Sequence, residues 1–233
     1  MSGNNDLFYE QLIEKLQQNA EKDFADFQRK ITPNAGEVLG VRMGTLRDIA
    51  KKLDYYALKA CFDKNCFEQR LLLGLSLAYT KKLTPQEFFA EVDYVSHVFE
   101  TWAEVDCFCS TVKKYDSLFE YAVSLTGDNA EFVARTGIIL IKRHFLDDEH
   151  IDRALDVISG IKTQYYYVRM GAAWTLCDAF IKHPDETRKV LFNRLPDDET
   201  VLMAIGKCID SFRVPKEYKD ELRELRKRIR TKL

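Results

Sequence analysis

The chain places small residues at a fixed interval, and that recurrence restricts its fold more than any other feature. Ala103, Gly137, Gly171 and Gly206 follow one another at spacings of 34 or 35 residues. Around two of them the neighbours repeat as well: "ARTGIIL" carries Arg135-Thr136-Gly137, and "VRMGAAW" carries Arg169-Met170-Gly171. An interval of this length holds two helices and a turn. Stacked helical solenoids are built from such units, because one pair alone cannot bury its apolar face. The small residue in each unit predicts one close helix approach per repeat. Chance spacing in an ordinary helical bundle is the competing explanation. The tetratricopeptide signature residues are not visible, so an array of HEAT-like repeats is the closer reading.

Local signals agree on helices. Glycine and proline are scarce, ten and five among 233 residues, and the prolines stand where helices begin. "LTPQEFF" supplies Thr84 as N-cap, Pro85 at the first helical position and Glu87 at the third, a capping box. Similar starts occur around Pro184, Pro196 and Pro215. Apolar residues recur at helical spacing at Leu71, Leu72, Leu75 and Tyr79, at Phe132, Ile139 and Phe145, and at Ile205, Ile209 and Phe212. No alternating strand pattern beside an Asn-Gly or Asp-Gly turn stands out. The expectation is an all-α fold, a superhelical solenoid of HEAT-like helical repeats forming one domain over residues 1–233.

Composition narrows the class of function. The chain is 46% apolar and 31% charged, which excludes wholesale disorder. No apolar run approaches the roughly 20 residues of a membrane span, and "MSGNNDLFYE" has no basic or apolar region of a signal peptide. A cytoplasmic, monomeric protein without membrane contact is expected. The six cysteines form no C-x-x-C pair and have no histidine cluster beside them, so no zinc or other metal site is expected. They read as small apolar residues of a reducing compartment. The net charge of −2 hides an asymmetry. Residues 213–233 hold nine Lys/Arg and four Asp/Glu, a balance of +5, which leaves −7 for the rest. A charged, solvated terminal helix accounts for that tail on charge alone.

The two tryptophans carry the chemistry. Trp102 and Asp106 in "TWAEVDCFCS", and Trp174 and Asp178 in "AWTLCDAF", are each four residues apart. On a helix each pair lies on one stripe. A core stripe favours Leu or Phe, and a solvent stripe has no need of Trp. In a solenoid, Trp102, Arg135 and Trp174 fall near the same phase of three units and would face one groove. Arg135 and Arg143, eight apart, are expected on nearly the same face, each able to meet a phosphate. An aromatic face accepts a cation or a sugar, and a carboxylate stabilises positive charge that develops nearby. Each residue also has a structural explanation. Tryptophans at helix contacts are core, and Asp beside Arg is an ion pair. No Gly-rich phosphate loop, Ser-His-Asp set or H-E-x-x-H motif competes.

Along nearly its whole length the chain resembles the AlkD-type DNA alkylation repair proteins, the HEAT-like-repeat alkylpurine DNA glycosylases. "GVRMGTLRDIAKKL" resembles the family's G-[IV]-x-x-x-x-x-R-x-[LI] segment. "TWAEVDCF" resembles its W-x-x-x-D helix, "ARTGIILIKRHF" its R-T-x-x-x-L-x-x-[KR] helix, "GAAWTLCDAF" the helix of its second Trp, and "AIGKCIDSFR" its closing A-I-x-x-[IL] segment. The resemblance implies excision of cationic N3- or N7-alkylated purines from double-stranded DNA, without metal or cofactor. It assigns Asp106 to the developing sugar cation and the water, and Trp102 and Trp174 to packing against the deoxyribose. It assigns Arg135 and Arg143 to the DNA backbone, and the segment holding Arg42 to DNA contact. It also implies that no base-flipping pocket is needed, unlike the general strategy of base-modifying enzymes.

Two departures stand out. Cys177, followed by Asp178, replaces a basic residue one turn after the second Trp. Met43-Gly44 replaces a Thr-Pro pair. Fewer cations mean weaker and less salt-sensitive DNA binding. The alternative function is a non-catalytic helical scaffold that binds DNA or a protein through its concave face. In that case the tryptophans are core and Asp106 pairs with Arg135. A tetratricopeptide-like peptide binder would need regularly spaced Asn or Lys clamps, which are not found.

Overall fold

The computed structural model describes residues 2–193 and 198–232. Among them the chain forms fourteen helices and no strand, with two isolated bridges. It divides into two compact units, Met1–Tyr115 and Asp116–Leu233.

The first unit holds α1 (Ser2–Gln18), α2 (Lys22–Ile31), α3 (Met43–Ala50), α4 (Tyr55–Lys59), α5 (Phe67–Tyr79), α6 (Pro85–Val98) and α7 (Trp102–Thr111). α5 is buried from Phe67 to Ala78, as a helix that is apolar nearly all round must be. α3 and α7 pack against it, and so do α4 and α6. The second unit holds α8 (Leu118–Leu125), α9 (Glu131–His144), α10 (Ile151–Gly160), α11 (Tyr166–Lys182), α12 (Pro184–Asn193), α13 (Asp198–Asp210) and α14 (Lys216–Lys232). Here α9, α11 and α13 lie side by side, with α10 against α12 beside them. Alternate helices therefore form the layers, which is the all-α helix-pair arrangement that the 34–35 residue interval predicts.

Helix starts follow the sequence signals. Thr84 Oγ1 accepts from the Glu87 backbone N–H, and the Glu87 carboxylate accepts from the Thr84 N–H at 2.8 Å. α12 begins at Pro184, and α14 begins just after Pro215. Pro196 lies outside the described residues. The apolar phases place Leu71, Leu72, Leu75, Ile139, Phe145 and Ile205 in the core. Phe212 is a correction: α13 ends at Asp210, so the helical phase is lost, and Phe212 is 93% exposed.

The expectation of one close approach per repeat needs a second correction. A Cβ at Gly137 would sit 2.4 Å from the Ala122 carbonyl oxygen, so α8 and α9 touch only because residue 137 has no side chain. At Gly171 the nearest atoms are at an ordinary 3.5 Å, and at Gly206 nothing lies within 4 Å. The interval is carried instead by polar partners. Arg70–Glu104, Glu120–Arg153, Asp178–Arg213 and Arg188–Glu221 are all hydrogen-bonded at separations of 33–35 residues. Each links equivalent positions of successive helix pairs. The exposed ones contribute roughly 0–1 kcal/mol apiece, so they report register more than they hold the fold.

Candidate active site

In the first unit the start of α7 is fixed before its functional residues appear. Glu104, fully buried on the third position of α7, accepts from the backbone N–H of Glu100 at 2.7 Å and of Thr101 at 3.1 Å. Its other oxygen accepts from Arg70 Nε at 2.9 Å and Nη2 at 2.8 Å. Burial pushes the Glu104 carboxyl up, while Arg70 and the two amide donors favour its charged form. Arg70 also donates to the carbonyls of Lys64 and Ala35, so one buried cation ties α5, α7 and two loops together.

Trp102 is the first residue of α7, and its indole N–H donates to the Ile31 carbonyl at the end of α2, 3.1 Å away. Trp102, Asp106 and Ser110, spaced four apart along one stripe, line a cleft of about 340 Å³. Phe24, Ile31, Met43 and Leu46 supply its apolar walls. Glu68 also lines it, with its oxygens on the backbone N–H groups of Leu39, Gly40 and Val41. Those bonds hold the loop that closes the cleft. Gly40 in that loop has φ +87°, and a Cβ there would meet the Glu21 carbonyl oxygen at 2.2 Å. Only glycine allows this turn. Asp106 is thus a half-exposed carboxylate on a cleft with an aromatic platform one turn before it. Burial pushes the neighbouring Cys107 thiol up to about 11, so it is protonated at neutral pH and is no nucleophile.

Arg42, at the start of α3, is exposed. Its guanidinium donates to Glu21 from Nε at 3.0 Å and Nη2 at 2.8 Å and lies 4.2 Å over the Phe24 ring. The hydrogen bond from Arg42 holds the Glu21 carboxyl below its usual range.

In the second unit, Trp174 is half-buried, with Lys142 Nζ 3.7 Å above its ring centroid. The same ammonium pairs with Asp178 at 2.9 Å, and Arg213 pairs with the other Asp178 oxygen at 2.9 Å. Two cations therefore flank the acidic residue of this departure. Cys177 is only 4% exposed and points into the contact between α11 and α13. There the Cys208 thiol hydrogen-bonds to it, and this bond together with burial holds Cys208 far above the usual thiol range. Arg143 is exposed in the last turn of α9.

Arg135 is 2% exposed, and its Nη1 donates to the Tyr167 carbonyl at 2.7 Å. Its side chain crosses α11 at Gly171. Arg135 and Arg143 do not share a face, as their eight-residue spacing suggested. Eight residues leave about 80° of rotation on a helix of 3.6 residues per turn, enough to separate a packed side chain from an exposed one.

The model of the DNA alkylation repair enzyme family matches residues 12–195. The chain belongs to that family. Neither the curated proteins nor the solved structures include a match to it. The family match spans α7, α9 and α11, and hence both tryptophans. It ends before α13 and the basic helix α14. Within this DNA alkylation repair protein, sequence reasoning passed over Lys142, which sits beside the chosen Arg143 and is the cation that reaches Trp174. It also passed over Glu104 and Arg70, whose 34-residue separation was the available signal. Among the described residues no group of three or more His, Cys, Asp or Glu is placed to hold a metal ion, and no helix is long and apolar enough to cross a membrane.

Proposed function

We propose that this DNA alkylation repair protein is a glycosylase. It hydrolyses the N-glycosidic bond of cationic N3- or N7-alkylated purines in double-stranded DNA, acting in the cytoplasm as a monomer without a cofactor. The observation that supports this reading is Asp106 and Trp102 together on the wall of one apolar cleft. An alkylated purine already carries positive charge and leaves as the neutral base with the bonding electron pair. The positive charge then falls on the sugar as an oxocarbenium ion. A carboxylate about 4 Å from that ion gains about 4 kcal/mol at an effective dielectric near 20. If that gain is confined to the transition state it corresponds to roughly three decades in rate. Asp106 fills this role and orients the water, which adds to the anomeric carbon and gives up its proton to solvent. Trp102 offers its face to the deoxyribose. From the second unit, Trp174 and Arg143 contact the DNA, and Arg42 does so from the first. Arg135 supports this from inside, by fixing α11 through Tyr167.

A scaffold without catalysis is the second reading. It is favoured by the packed Arg135 and by Cys177 in place of the family's basic residue. The test is release of free base from a duplex carrying 7-methylguanine. Release by the purified protein supports the glycosylase, and its absence leaves the scaffold.

A further inference from the structure

The side chains of α14 sort by kind around its axis. At about 100° per residue, Lys216, Lys219, Arg223, Arg226, Lys227 and Arg230 fall within one arc of about 100°. Glu217, Asp220, Glu221 and Glu224 fill the next arc. Leu222, Leu225 and Ile229 form a third arc, which is buried. α14 packs on α13, and Glu221 on the acidic arc is bonded to Arg188 of α12 at 2.8 Å. The basic arc therefore faces away from α12, on the free side of the last helix. Arg223 and Lys227 pair with Asp220 and Glu224 of the same helix, and such exposed pairs are weak. Among the described residues no carboxylate pairs with Lys216, Lys219, Arg226 or Arg230. Arg226 is half-buried, and its Nε has no acceptor. The last helix of a repeat array needs a polar outer face for solubility, and a mixture of both signs serves that need. A face of one sign, with the carboxylates turned to another, goes beyond it.

We propose that the basic arc of α14 is a docking surface for the backbone of undamaged duplex DNA, separate from the cleft of the first unit and from the stretch that the family model matches. The proposal rests on the DNA-directed reading above and concerns retention on the duplex, not bond cleavage. Charge complementarity selects the occupant. Residues 1–212 carry −7 and residues 213–233 carry +5, so attraction to a polyanion has to come from a concentrated positive face. The arc runs from Lys216 to Arg230, about 21 Å of helix, with a cation every three or four residues. A duplex presents a negative charge about every 1.7 Å along its axis, so several of these cations can each meet a phosphate. An anionic membrane surface fits less well. An interfacial helix lays its apolar face among the acyl chains, whereas Leu222, Leu225 and Ile229 are already buried in the unit.

The experiment uses the full chain and an undamaged, fluorescently labelled duplex, with affinity read by anisotropy across a salt series. Base release from a 7-methylguanine duplex is followed in parallel. The triple variant Lys216→Gln, Lys219→Gln, Arg230→Gln is expected to make the slope of log affinity against log salt shallower by about 2–3, with an unchanged melting temperature. Lys216→Arg, Lys219→Arg, Arg230→Lys keeps the charge and is expected to keep the slope. Lys64→Gln, Lys81→Gln, Lys82→Gln removes the same charge from exposed positions of the first unit and is expected to leave the slope at the wild-type value. An equal change in slope from both neutralised triples overturns the proposal, because net charge alone then accounts for it. A wild-type slope in the α14 triple overturns it even where base is released. A slope that depends on the α14 cations with no base release upholds it and removes the glycosylase reading. Binding of polyglutamate but not of the duplex by the wild type makes an acidic protein the occupant and overturns it as well.

Discussion

Trp102–Asp106 on α7 and Trp174–Asp178 on α11 are the same four-residue pattern in two surroundings. On α7 the indole N–H is anchored to the Ile31 carbonyl, and the carboxylate looks onto an apolar cleft. On α11 the ring is capped by Lys142, and the carboxylate is clamped between Lys142 and Arg213. The Asp178 carboxylate is balanced by two cations. The difference teaches that the motif locates two aromatic stripes, while neighbours distant in the chain decide what each one does.

The comparison breaks most severely at Glu104. Arg70 and Glu104 are both fully buried, and removing one partner of such a pair costs about 3–5 kcal/mol, because the other charge stays behind. Glu104→Ala is expected to lower stability by that amount in urea denaturation and to disturb Trp102 with it. At the start of α11 the half-buried Glu131 of α9 accepts from the Tyr167 N–H.

The thiols of the two helices sharpen the contrast. Cys107 lines the cleft, with its thiol pushed up to about 11. Its thiolate fraction near pH 8 is therefore lower than that of an ordinary cysteine by on the order of a hundredfold. Alkylation by iodoacetamide, mapped by mass spectrometry, is expected to be slow at Cys107 at that pH and to rise as pH climbs toward 11. Equal labelling of Cys107 and an unstructured reference thiol at pH 8 contradicts this.

Smaller effects separate the glycines of the interval. Gly137→Ala drives a methyl into the Ala122 carbonyl, and overpacking of this kind costs about 1–3 kcal/mol. Gly206→Ala fills open space inside α13 and is expected to gain about 0.5–1 kcal/mol. Thermal melts of the two variants moving in the same direction contradict the assignment.

The contrast between these glycines also marks how far the sequence can be read. Helix existence was legible because caps and apolar phase are local: Thr84, Pro184 and Pro215 stand at helix starts as their chemistry requires. The interval of 34–35 residues was legible too, since the helix pairs repeat with it. The inward turn of Arg135, the exposure of Phe212 and the open space at Gly206 were not, because each depends on what a neighbouring helix presents. For the site, Trp102 and Asp106 could be paired on one stripe from spacing alone. Lys142 and the Arg70–Glu104 pair could not, because their partners lie 30 or more residues away. Once the interval is known, such partners can be sought one repeat along.

The most direct test of the account compares Asp106→Asn with Asp178→Asn in single-turnover release of 7-methylguanine from a duplex. Asp106→Asn keeps the shape of the side chain and loses its charge. The account predicts a loss of roughly three decades in rate for it, and a rate within a few-fold of wild type for Asp178→Asn. Base release at the wild-type rate by Asp106→Asn would contradict the role of this carboxylate.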